Sequence, residues 1–105
     1  MDSPVLDPKY LGRIMPGMDV CDIGGDKVGS VAHVYHYENL PEGQAPPGEE
    51  FFEVKSGLFG LGHHYYFPMS AVQEIVGECV FLSKAKEQFE SLGWDQKPPH
   101  FDALH

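Results

Sequence analysis

Histidine and cysteine are the residues of this chain best suited to chemistry, and their spacing decides how far that idea goes. His33, His36, His63, His64, His100 and His105 are many for so short a sequence. A bound metal needs three or four N, S or carboxylate donors converging at about 2 Å. Side chains alternate across a strand, so His33 and His36, three apart, face opposite ways, as do the adjacent His63 and His64. Neither pair chelates alone. A composite site needs His63 or His64 to meet His33 or His36 across a sheet; solvated or partly packed histidines are the default, and no cofactor is expected. Cys21 and Cys79 each lie inside an apolar segment, where a free thiol behaves as a small hydrophobe. Both read as reduced and buried, with one Cys21–Cys79 bridge as the alternative.

Other motifs carry less. Gly57-Leu58-Phe59-Gly60-Leu61-Gly62 is glycine-rich, but phosphate-binding loops join a strand to a helix N-terminus, and this one joins two strands. Its large residues suit the cover of a barrel end, with a partly exposed Phe59 serving as an anchor for another chain. Asp22-Ile23-Gly24-Gly25-Asp26 lacks the ligand count of a calcium loop and reads as a turn. Ser30, Ser56 and Ser70 lie in no Gly-x-Ser-x-Gly context. No nucleophile is matched to a base, so the chain is not expected to be an enzyme.

Composition narrows the partners. Seven Lys and Arg against 16 Asp and Glu leave a net charge of −9. Phosphate backbones and anionic lipid both demand cationic side chains, so neither nucleic-acid binding nor membrane insertion is expected. The first residues show no basic segment followed by an apolar run, which points to the cytoplasm.

The elements that must position these residues are short. Residues 1–17 hold Pro4, Pro8 and Pro16 and read as an extended arm, anchored by Tyr10, Leu11, Ile14 and Met15. Residues 18–82 alternate brief β-runs with turns: 19–22, 27–37, 51–56, 63–67, and a final hairpin of 74–76 and 78–82 about Gly77. Val28, Val31 and Val34 recur every third residue, and a bulge at Gly29-Ser30 would return Val28 and Val31 to one face. Met69 to Val72 reads as a single helical turn, and residues 38–50 as a long exposed loop. Ser83 is placed to cap a helix through Leu92, closed by Gly93, with Ala85, Phe89 and Leu92 on one face. The domain division is then arm 1–17, barrel 18–82, helix 83–93 and a loosely held tail 94–105. The fold class is all-β: a small antiparallel β-barrel of five to six strands with one short C-terminal helix.

The order Met15-Pro16-Gly17-Met18-Asp19-Val20, Gly25-Asp26-Lys27-Val28-Gly29-Ser30-Val31, Ser56-Gly57-Leu58-Phe59-Gly60-Leu61-Gly62 and Tyr65-Tyr66-Phe67-Pro68-Met69-Ser70-Ala71-Val72 resembles the PRC-barrel superfamily. That superfamily includes the cytoplasmic domain of the photosynthetic reaction-centre H subunit and the C-terminal barrel of a ribosome maturation factor; the chain looks most like its short stand-alone bacterial members. The resemblance runs from Ile14 to Leu82. It implies a docking module and supplies no catalytic residues.

Function is therefore expected to be protein interaction or assembly, with self-association as a dimer and an unidentified protein partner. Phe52, Val54, Tyr65, Phe67, Val80 and Leu82 fill the interior on this reading, leaving Phe51, Phe59, Tyr66 and Phe81 outward as the interaction residues. The alternative is a small-ligand or metal-binding barrel using His63, His64 and the 57–62 loop.

Overall fold

A computed structural model describes residues 13–35, 48–56 and 62–100. Six strands follow one another: β1 (Asp19–Cys21), β2 (Lys27–Tyr35), β3 (Phe51–Lys55), β4 (His64–Pro68), β5 (Val72–Val76) and β6 (Cys79–Leu82). They form one sheet in the order β4-β3-β2-β1-β6-β5. Every pairing is antiparallel except β1 with β6, which is parallel. The sheet is thus mixed, not antiparallel throughout.

Curvature follows from connectivity. β4 and β5 sit at opposite ends of the strand order, yet only the 3-10 turn Met69–Ala71 joins them. A flat six-stranded sheet is about 24 Å across at ~4.8 Å per strand, whereas three residues reach at most about 11 Å. The sheet must curl. Its concave side holds a single cluster that includes Val20, Val31, Phe52, Val54, Phe67, Ile75, Val80 and Leu82. Fully burying side chains of this size is worth about 1.5–3 kcal/mol each.

The expected closed barrel is corrected to an open sheet, because no β4–β5 ladder forms. Pro68 has no N–H to offer, the Tyr66 amide donates to the Trp94 carbonyl at 2.7 Å, and β5 has an extra residue at Gln73. Each feature blunts an edge strand.

The every-third valines all turn toward the core, though through two irregularities. β2 has one extra residue at Val28 against β1 and another at Ala32 against β3. The ladder across Gly29 and Ser30 is regular, so the bulge lies one residue before the expected place. Gly29 serves instead as a close-approach site: a Cβ there would lie 2.1 Å from the Lys55 carbonyl oxygen.

The C-terminal helix is also corrected. Ser83 donates its amide to Ala71, and the Lys84 carbonyl accepts from Ile23, which ties this stretch to neighbouring segments along a bent, non-helical path. One 3-10 turn, Lys86–Gln88, follows, and then a series of turns. Ten residues are too few to hold a helix by propensity alone. Of the expected stripe, Phe89 is buried, Ala85 half-buried and Leu92 exposed.

At the other end of the described chain, Ile14 and Met18 enter the core while Met15 is exposed; Met15 is thus no anchor. Tyr10 and Leu11 lie outside the described residues.

Candidate functional site

Strand alternation gives the sheet a second face, and it is an aromatic one. From β2 come His33 and Tyr35, from β3 Phe51, Glu53 and Lys55, from β4 His64, Tyr66 and Pro68, and the register pairs them across the strands. Tyr35 stacks on Phe51 with ring centroids 4.9 Å apart, and His33 meets Tyr35 at 4.3 Å. Phe51 also meets Tyr66 and His100 edge-on, at 6.2 and 5.9 Å.

Phe51 does face away from the core cluster, as alternation requires, but it is not an exposed anchor. It is only 2 % exposed, because the chain after Gly93 returns over it. The expected loose tail is therefore corrected as far as His100. Trp94 packs on Phe67 and Phe89 at 5.4 and 5.6 Å, and His100 Nε2 donates to the Glu49 carbonyl at 2.6 Å. Between this return and the sheet lies a groove of about 230 Å³, lined chiefly by Phe51, Tyr66, Pro68, Leu92, Trp94 and Pro99. Glu49 and His100 add polar groups to its wall. Glu49 also clamps the β4–β5 corner, accepting from the Ser70 amide at 3.0 Å and the Ser70 hydroxyl at 2.8 Å.

Beside the groove, Glu53 gathers the polar groups. Its side chain is 14 % exposed; Tyr35 donates its hydroxyl to Oε1 at 3.1 Å, and His64 Nδ1 meets Oε2. Burial, followed by the negative charge of Glu53, pushes both Tyr35 and Tyr66 above their ordinary value. Three of the four expected metal candidates lie among the described residues. His33 and His64 share this face on opposite sides of Glu53, His63 lies toward Tyr65, and His36 is outside the described residues. No three His, Cys, Asp or Glu side chains among the described residues could hold a metal ion. Of the remaining interaction residues, Tyr66 and Phe81 are half-buried, and Phe59 and most of the 57–62 loop lie outside the described residues.

Two arrangements have no single-segment signature. Asp22 is buried and accepts three backbone amides: Gly24 at 3.0 Å, Asp26 at 2.9 Å and Lys86, 64 residues away, at 3.0 Å. Burial raises its carboxyl, but the amides of Lys86, Asp26 and Gly24 outweigh that and hold it below its ordinary value. Cys21 and Cys79 are free, 3.5 Å apart at sulfur, and half-buried where full burial was expected.

A family model described as uncharacterised protein conserved in bacteria, DUF2171, matches residues 14–90. The chain belongs to the DUF2171 family. No curated protein matches it. The DUF2171 match spans all six strands, so the groove's aromatic floor falls within it, while Leu92, Trp94, Pro99 and His100 fall beyond its end. No helix among the described residues is long and apolar enough to cross a membrane.

Proposed function

We propose that this chain is a non-catalytic binding and assembly module, and that it self-associates. The supporting observation is the groove over Phe51, whose aromatic and proline lining suits an extended, proline-containing segment of another chain. A second copy is the simplest source, since residues 1–17 and 41–47 each contain several prolines. The acidic charge of −9 opposes pairing of like chains, so added salt strengthens the association. The PRC-type motif order supports the same docking role, and the open, curled sheet is compatible with that kinship.

Sedimentation of the full chain on the order of 10–100 μM, a range that detects micromolar affinity, tests the reading. A dimer is expected, and Leu92→Glu, a change at an exposed groove position, dissociates it. A wild-type chain that stays monomeric at high salt defeats the self-association. A second reading, a small-ligand or metal module, rests on Glu53 and His64 as adjacent donors. A rise in melting temperature with Zn²⁺, absent in His64→Ala, would favour it.

A further inference from the structure

Cys21 ends β1 and Cys79 begins β6, and these strands meet in a parallel ladder of three residue pairs. Among the described strands, that ladder is the only lateral joint between β1–β4 and the β5–β6 hairpin. Its central pair, Val20 and Val80, is fully buried in the core, so the residues on either side of each valine point to the outer face. There the two sulfurs lie 3.5 Å apart. The charged neighbours are Asp19 and Lys27, paired with each other at 3.2 Å. We infer that Cys21 and Cys79 form a dithiol that a hydroperoxide converts reversibly to a disulfide, locking the joint between the two parts of the sheet.

A bond requires the sulfurs to close to about 2.05 Å. β1 is short, and its pairing with β2 is already irregular at Cys21, so its end can move. In the ladder Cys21 pairs with Phe81 and Asp19 with Cys79, which makes the two thiols diagonal neighbours. A bridge against that register pulls on the ladder and is correspondingly easy to reduce. Such a bond suits a switch better than a permanent staple.

The chemistry balances with one peroxide. With hydrogen peroxide, the Cys21 thiolate attacks one oxygen, the O–O bond breaks, and that oxygen remains on Cys21 as sulfenic acid while the other leaves as hydroxide, which a solvent proton converts to water. The Cys79 sulfur then attacks the Cys21 sulfur, and the hydroxyl departs with the Cys79 proton as a second water. Two electrons pass from the sulfurs to the peroxide. Burial, then the neighbouring Cys21, push the Cys79 thiol up to about 11, which suits it to the second step, where it gives up its proton as the disulfide forms.

The test is hydrogen peroxide on the reduced full chain, followed by intact mass and peptide mapping. The expected product is a monomer lighter by two hydrogens, with Cys21 and Cys79 peptides joined, a higher melting temperature, and full reversal by dithiothreitol. The bridge forms several-fold faster in the native chain than in urea. Cys79→Ser stops at a Cys21 sulfenic acid that dimedone traps, while Cys21→Ser reacts more slowly. Oxygen uptake without a cross-link, bridging only between molecules, or equal rates in native and unfolded chains would each overturn the inference.

Discussion

Replacing Asp22 tests the physical account of this fold most directly. Its carboxylate accepts the amides of Gly24, Asp26 and Lys86, so one side chain closes the β1–β2 turn and fastens the segment after β6 to it. Hydrogen bonds to a charged group contribute about 1.5–3 kcal/mol each. Gly24, Asp26 and Lys86 are themselves exposed residues, so water can partly replace the lost acceptor, and the lower end applies. Asp22→Ala is therefore expected to cost about 4–5 kcal/mol of the roughly 5–15 available to such a domain. Asp22→Asn keeps an acceptor for the turn but presents an amide to Lys86, for a cost of about 1–2 kcal/mol. Urea unfolding at pH 7 reads both values. The acid limb adds a sign. Because the folded carboxyl lies below its ordinary 3.8, its stabilisation is complete above the unfolded value and is lost as pH falls through the folded one. Wild type should thus lose more stability than Asp22→Asn between about pH 5 and pH 2. An alanine variant within about 0.5 kcal/mol of wild type, or parallel acid limbs for wild type and Asp22→Asn, would refute the reasoning.

Gly29→Ala should fail to fold or lose several kcal/mol in urea, roughly the range of severe core damage, because the new methyl meets the Lys55 backbone rather than a movable side chain. Phe51→Ala should cost about 3 kcal/mol despite facing away from the core; a loss under about 0.5 kcal/mol, typical of surface sites, would show that the covering chain does not bury it in solution. Tyr35 and Tyr66 should titrate above 10 by ultraviolet difference absorbance, and Glu53→Gln should lower both. Since their folded values are raised, the stability linked to them is present below the ordinary tyrosine range and declines as pH rises through the folded values; an alkaline unfolding curve unchanged by Glu53→Gln would contradict this.

Local pattern located the strands well. Phe52, Val54, Phe67, Val80 and Leu82 are core residues, as alternation in their segments requires, and Gly77 turns the last hairpin with a φ of +58°. The valine spacing signalled irregular pairing, though the position of each extra residue depended on neighbouring strands. The helix expected after Ser83 failed for a reason no window of sequence contains: its backbone groups are taken by Ala71, Ile23 and Asp22. Trp94, the single tryptophan, was the available sign that the tail is fastened, since so large an apolar surface seldom stays in water.

The sequence by itself determined an all-β domain, its strand segments, their core faces and its acidic surface, because alternation, turn chemistry and charge count are properties of neighbouring residues. Tertiary structure alone decided the open edges, the parallel β1–β6 joint, the groove over Phe51, the reach of Asp22 to Lys86 and the meeting of Cys21 with Cys79. Each of these joins residues far apart in the chain, and such meetings depend on how the sheet curls, which no local spacing encodes.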